Sequence, residues 1–164
     1  LFDAIVQQLV ECVEKDKMIL TFGVGGNAAS AIHFAAEMSG KFEQYERPLP
    51  CICLSENVAS ITAITNDFSW SVCFERQVRA VAKQGDVLLV WSISSGGTYL
   101  GPAIAAARNK KACSILIYGY GRNPGADIAW RLGEDFKIEH TALVQEMQLK
   151  IIHDICREVK KRLS

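Results

Sequence analysis

Met18-Ile19-Leu20-Thr21-Phe22-Gly23-Val24-Gly25-Gly26-Asn27 is the stretch on which the fold class turns. Its first five residues form a short, nearly continuous apolar run, which reads as a buried strand. Three glycines among the next four positions then close the strand in a tight turn. Residues 27–40 follow as a helix that ends at Gly40. Strand, glycine turn and helix make half of a unit whose next strand must run parallel to the first.

Reading outward, the same order recurs. Residues 50–54 are a short strand entered through Pro48 and Pro50, with helical patterns at 57–65 and 70–83. Val87-Leu88-Leu89-Val90-Trp91 is a strongly apolar strand, the turn Ser94-Ser95-Gly96-Gly97-Thr98 follows, and an alanine-rich helix occupies 99–109. Ser114–Tyr118 is another strand, leading into a loop that runs through Gly125, and Phe136-Lys137-Ile138 reads as a short last strand. Helices at 1–16 and 141–163 complete the chain, the first with Phe2, Ile5, Val6, Leu9, Val10 and Val13 at helical spacing. Continuous apolar strands alternating with helices mean a parallel sheet covered on both faces. The expectation is one α/β domain over residues 1–164: a flavodoxin-like three-layer sandwich of about five strands, without linker or repeat.

The totals exclude several classes of function. Formal net charge is zero, with 18 basic and 18 acidic residues, so no basic surface points to nucleic acid. Lys160-Lys161-Arg162 suit the dipole at the end of the last helix. No apolar stretch is long enough to span a membrane, and no signal peptide is evident. The six cysteines form no C-x-x-C pair and mostly lie in apolar runs such as Pro50-Cys51-Ile52-Cys53-Leu54. They read as core thiols in a reducing cytoplasm.

In open parallel sheets, ligands bind beyond the carboxyl ends of the strands. The turns at 23–27 and 94–98 both fall there, each before a helix whose free N–H groups favour an anion. The first turn is either a ligand cradle or a simple tight turn; it lacks the third glycine of a dinucleotide fingerprint, which Ala28 replaces. The second carries three hydroxyls and two glycines, which suit a phosphate, although serine capping of the helix is the alternative. Just inside the first helix, His33 and Glu37 stand at i, i+4 and share one face. That spacing suits two ligands of one metal, or an acid and a base, as well as a histidine with a solvated neighbour. Asn66-Asp67 caps a turn or holds a sugar hydroxyl, and His140 reads as a surface residue.

Gln145 and His153 stand eight residues apart on the long last helix, or about 12 Å along its axis. One helix can hardly supply both to one ion, so a second chain is a natural donor. The helix is apolar at Met147, Leu149, Ile151, Ile152, Ile155 and Cys156, so it is expected to be buried on more than one side and its polar groups to need partners.

Together these segments resemble the SIS (sugar isomerase) domain, in particular the phosphoheptose isomerases, from Phe22 onward. The resemblance rests on Phe22–Gly26, His33–Glu37, Asn66-Asp67-Phe68, Gly85–Leu89, Ser95–Thr98, Ala105–Arg108 and Gln145 through His153. It implies a zinc ion, one per subunit, held by His33, Glu37, Gln145 and His153. Glu37 would be the base and His153 the acid. Val24, Gly25, Gly26, Glu37, Asn66, Asp67, Ser94, Ser95, Thr98 and Gln145 would contact the sugar phosphate. It further implies a cytoplasmic homotetramer that converts sedoheptulose 7-phosphate to glycero-manno-heptose 7-phosphate through an enediol, for surface-polysaccharide heptose. Residues 1–16 would be part of a longer first helix.

The chain departs from that family at several positions. It has Val24 where Asn is usual, Asn27 where Ser is usual, Ile93 for a further Ser, and Gly97 for Asn, with Ser92 available if the loop shifts by one residue. A non-catalytic branch, the replication-initiator-associating proteins, also resembles Phe42-Glu43, Arg47–Pro50, Thr62–Asp67 and Gln77–Ala80. That branch lacks the carboxylate and imidazole at the positions of Glu37 and His153, both present here, which favours the enzyme. A sugar-phosphate-sensing module without turnover is the third reading.

Overall fold

Five parallel strands form one sheet in the order β2-β1-β3-β4-β5. They are β1 (Ile19–Phe22), β2 (Cys51–Cys53), β3 (Val87–Ser94), β4 (Cys113–Tyr120) and β5 (Ile128–Arg131), in a computed structural model that describes residues 1–44, 47–138 and 140–164. This is the flavodoxin-like order expected from the sequence, and its switch point lies between β1 and β3. The two turns singled out above leave the carboxyl ends of those two neighbouring strands.

Alternation along the strands divides the core in two. Ile19, Val87, Leu89, Trp91, Ile115 and Ile117 face α1 (Phe2–Glu14), α2 (Gly26–Ser39) and α7 (Thr141–Arg162). Leu20, Phe22, Leu88, Val90 and Leu116 face α4 (Cys73–Val81) and α5 (Leu100–Asn109). The helix expected over 70–83 is divided: a 3-10 turn at Trp70–Val72 precedes α4. Between β2 and that turn lies α3 (Val58–Asp67), none of whose residues is buried.

The last strand is not where the alternation at 136–138 put it. β5 is Ile128–Arg131, and Phe136 instead ends the short helix α6 (Leu132–Asp135). The reason is an edge position: β5 pairs only with β4, has four residues and buries only Trp130, so its apolar run is no longer than the three residues Ile128-Ala129-Trp130. Its entry is fixed by polar chemistry, since the Asp127 carboxylate accepts from both the backbone N–H and the hydroxyl of Ser114 at 2.8 and 2.6 Å.

None of the six cysteines is in a disulfide, and five are buried. Burial pushes the Cys12 thiol up to about 12 and Cys113 to about 11, and lifts Cys51 well above the ordinary range. These are core thiols, as their apolar surroundings in the sequence suggested.

One polar group ties the layers together beneath the switch point. Gln148, fully buried on α7, accepts from Asn27 Nδ2 at 2.6 Å. Its own amide donates to the carbonyls of Ser92 (3.0 Å) and Ile117 (3.2 Å). The start of α2 and the upper parts of β3 and β4 are thereby held to one carboxamide. Gln148→Leu keeps the bulk but orphans these groups; each buried polar group left unsatisfied costs about 1–3 kcal/mol. Urea denaturation is expected to show a lower midpoint with an unchanged slope.

Candidate active site

The site begins with two helices lying side by side and running the same way. Gly26 of α2 meets Gln145 of α7, Asn27 meets Gln148, His33 meets His153, and the Gly40 carbonyl accepts from Lys160 Nζ at 3.1 Å. Gln145, Gln148, His153 and Lys160 of α7 therefore each stand level with a residue of α2 or its C-cap.

At the upper end, space requires glycine at Gly23, and Gly26 lies directly against the end of the Gln145 side chain. A Cβ on Gly23 would lie 2.2 Å from the Asn27 carbonyl oxygen, and one on Gly26 would lie 2.2 Å from Gln145 Nε2. Gly25 takes φ +61°, and nothing lies within 4 Å of where its Cβ would be, so the turn is open above it. Ser55 clamps the turn by donating to the Gly23 carbonyl at 2.8 Å and accepting the Gly23 N–H at 3.1 Å. Val24 is half-buried against the α4/α5 core, and Gln145 is half-buried.

Across the crevice, Ser94 ends β3 and Thr98 is exposed. No side chain caps α5, whose Leu100 N–H bonds the Gly97 carbonyl instead. The capping alternative for these hydroxyls is thus not what the fold uses. The Ser95 hydroxyl lies against Gly121, where a Cβ would come within 2.1 Å and φ is +100°. Ser92 is buried and donates to the Ser94 carbonyl at 2.7 Å, so it is committed inward and does not replace the missing serine at Ile93.

Two turns further down, three donors meet. His33 Nε2 is 3.1 Å from His153 Nε2 and 3.2 Å from Glu37 Oε1, and one ligand atom from each of the three lies within 4.8 Å of the others. Two imidazole nitrogens at hydrogen-bond distance need a proton or a cation between them. Ligands at about 2.0–2.1 Å from a tetrahedral ion stand about 3.3 Å apart, close to these spacings. The chemistry of the set, two nitrogens and a carboxylate oxygen, fits a zinc site with an open fourth position.

Gln145 is not in this cluster. From Gly26, which it touches, to His33 is seven residues, or about 10 Å along α2. Asn66 and Asp67 stand exposed at the end of α3, the Asn66 amide donating to Asp67 Oδ1 at 2.9 Å. The named residues therefore fall into groups: the turns with Gln145 at the strand ends, the His33–Glu37–His153 cluster lower on α2 and α7, and the Asn66–Asp67 pair.

Comparison with known proteins fits this geometry. The SIS domain family matches residues 2–119. The phosphoheptose isomerase of Laribacter hongkongensis is 36% identical over 155 residues, covering 93% of this chain and 79% of its own. That of Chromohalobacter salexigens is 32% identical over 162 residues, covering 96% and 81%. This chain belongs to the phosphoheptose isomerase family of SIS-domain proteins. A solved phosphoheptose isomerase from Francisella tularensis superposes on this family member with a TM-score of 0.88 at 27% identity, covering 98% of this chain and 85% of that one. The phosphoheptose isomerase of Neisseria gonorrhoeae gives 0.83 at 28% identity, with the same coverage.

Sequence reasoning missed three features around the family's chemistry. Gln148 was detectable as a polar residue among Val144, Ile151, Ile152 and Ile155 on the buried face of α7. Ser55 had no signal beyond a hydroxyl after a strand. Phe42 packs on His153 with ring centroids 5.8 Å apart, and nothing local in the sequence joins residues 111 positions apart. Beside it the Arg157 guanidinium holds the Glu43 carboxyl below the usual carboxylate range, with His153 adding to the effect.

Proposed function

We propose that this chain interconverts sedoheptulose 7-phosphate and glycero-manno-heptose 7-phosphate, as an aldose–ketose isomerase working through an enediol. The observation that carries this reading is the meeting of His33, Glu37 and His153 in a member of the phosphoheptose isomerase family. Aldose–ketose exchange needs a base to take a proton from the carbon beside the carbonyl and an acid to return one to its neighbour. Glu37, with its carboxylate at the cluster, is the base. His153, whose Nε2 faces the same point, is the acid. A zinc ion held by His33, Glu37 and, whenever its Nε2 does not carry the proton, His153 would stabilise charge developing on the sugar oxygens.

The phosphate end belongs to the turns. Gly25 and Gly26 offer open backbone, and Ser94, Ser95 and Thr98 offer hydroxyls at a helix start. In one chain Gln145 and these turns are grouped apart from the acid and base. We infer that a working site is assembled between subunits of a homotetramer, with one chain giving His33, Glu37 and His153 and a second giving the turns, Gln145, Asn66 and Asp67. Exposed apolar side chains support association: Val58 and Leu149 are 66% and 42% exposed on α3 and α7. The buried, unbridged thiols suit a reducing compartment, in keeping with a cytoplasmic enzyme. Among the described residues no helix is long and apolar enough to cross a membrane.

NMR of sedoheptulose 7-phosphate incubated with the protein is expected to show the aldose product growing in. Glu37→Gln and His153→Gln should each slow it by about 10²–10⁴. Ser95→Ala with Thr98→Ala should mainly raise KM, because these groups face a phosphate that does not react. Equal rates for wild type and Glu37→Gln would leave a binding module. Free zinc at 100 times its Kd should stabilise the protein by about 2.7 kcal/mol in a melting experiment, and His33→Ala or His153→Ala should abolish that gain. The shared site has its own signature. Glu37→Gln and Gln145→Ala proteins, each poorly active, should regain activity when unfolded together and refolded as mixed oligomers, because some sites then draw both intact halves.

A further inference from the structure

The imidazole of His153 is confined from two directions. On one side is His33, ring centroid to ring centroid 5.1 Å. On the other is Phe42, at 5.8 Å and an interplanar angle of 27°, close to parallel. Phe42 belongs to a short run after α2, between the exposed Lys41 and Glu43, yet is only 8% exposed itself. A phenyl ring turned inward from such a run needs something to keep it there.

α7 supplies the restraint, one turn below His153. Arg157 Nε donates to both Glu43 carboxylate oxygens at 3.2 and 3.1 Å, and Nη2 adds a third bond at 2.5 Å. Asp154 accepts from Arg157 Nη1 at 3.1 Å, which fixes the guanidinium on its own helix. The guanidinium carbon lies 5.8 Å from the centroid of the Phe42 ring. Glu43 takes φ +39°, a conformation that L residues avoid and that persists where surrounding contacts over-determine it. Lys160 secures the start of the same run through the Gly40 carbonyl.

We propose that Phe42, clasped through Glu43 and Arg157, is a positioning residue that sets the rotation of the His153 ring. The reason lies in the histidine side chain. Its outer torsion is broad and roughly two-fold. A half-turn exchanges Nε2 with Cε1 and leaves carbon where the acid should be. A flat ring packed nearly parallel to the imidazole holds its plane, and within that plane the contact with His33 favours the orientation that puts Nε2, not Cε1, at the cluster; a leucine of similar bulk has no flat face to hold the plane. The proposal rests on the reading of His153 as the acid.

The test compares Phe42→Leu, Phe42→Tyr and Arg157→Gln with wild type. Phe42→Leu is expected to lower kcat by about 10–100-fold, the scale of a misplaced catalytic group. KM should stay within about two-fold, since the phosphate is held at the turns, away from Phe42. Phe42→Tyr should restore kcat, and Arg157→Gln, a change at an exposed residue that leaves the fold in place, should fall between. Proton NMR of the histidine rings gives a second readout that needs no turnover. The His33–His153 ring contact seen in wild type should weaken in Phe42→Leu and return in Phe42→Tyr. Unchanged kcat in both Phe42→Leu and Arg157→Gln, a loss wholly in KM, or failure of Phe42→Tyr to rescue would overturn the proposal. If wild type does not turn over the sugar phosphate, the assigned reaction fails. The ring contact then decides the positioning role alone: its persistence in both Phe42→Leu and Arg157→Gln overturns it, and its loss supports it.

Discussion

The buried carboxamide of Gln148 is the interaction on which the rest of the site depends. It sits where α7 crosses the ends of β3 and β4 and where α2 begins. A buried amide without partners is costly, so the three bonds are made together or the packing fails. With them made, the height of α7 against α2 is fixed. Gln145 then falls on the glycine turn and His153 on His33, because helix geometry leaves little freedom within about one and a half turns of Gln148. Chemistry at the lower cluster is thus set by a residue that does not touch it.

Much of this could be read before any coordinates. β1, β3 and β4 announced themselves as continuous apolar runs, and both glycine turns could be placed beyond the carboxyl ends of strands, whereas the adjacency of β1 and β3 came only with the structure. β5 could not be read, since an edge strand that buries one side chain carries little hydrophobic signal, and Phe136 offered a false alternation nearby. In the site, His33 and Glu37 were legible from i, i+4 spacing, and the separation of Gln145 from His153 followed from helix rise alone. What stayed hidden was long-range: Phe42 beneath His153, and Arg157 reaching Glu43 across 114 positions. Such contacts depend on how helices pack and leave no local period to find.

The departures from the family's usual residues also become intelligible. Asn27 is directed inward to Gln148, so its amide serves the fold and not the turn's open face. Val24 packs partly against the α4/α5 core. The open face of the turn is therefore left to backbone at Gly25, where nothing lies within 4 Å of the place a Cβ would take.

The buried thiols have a consequence of another kind. Cys12, Cys51 and Cys156 come from α1, β2 and α7, three elements distant in the chain, and all are sealed in the same core layer. Burial raises the thiols of Cys12 and Cys51 and keeps them protonated at neutral pH, and a protonated, enclosed sulfur does not attack electrophiles. The rate at which a small alkylating reagent reaches them is then the rate at which that layer opens. The molecule carries its own clock for local unfolding on the face that holds α2 and α7, readable by mass without adding a label to the site.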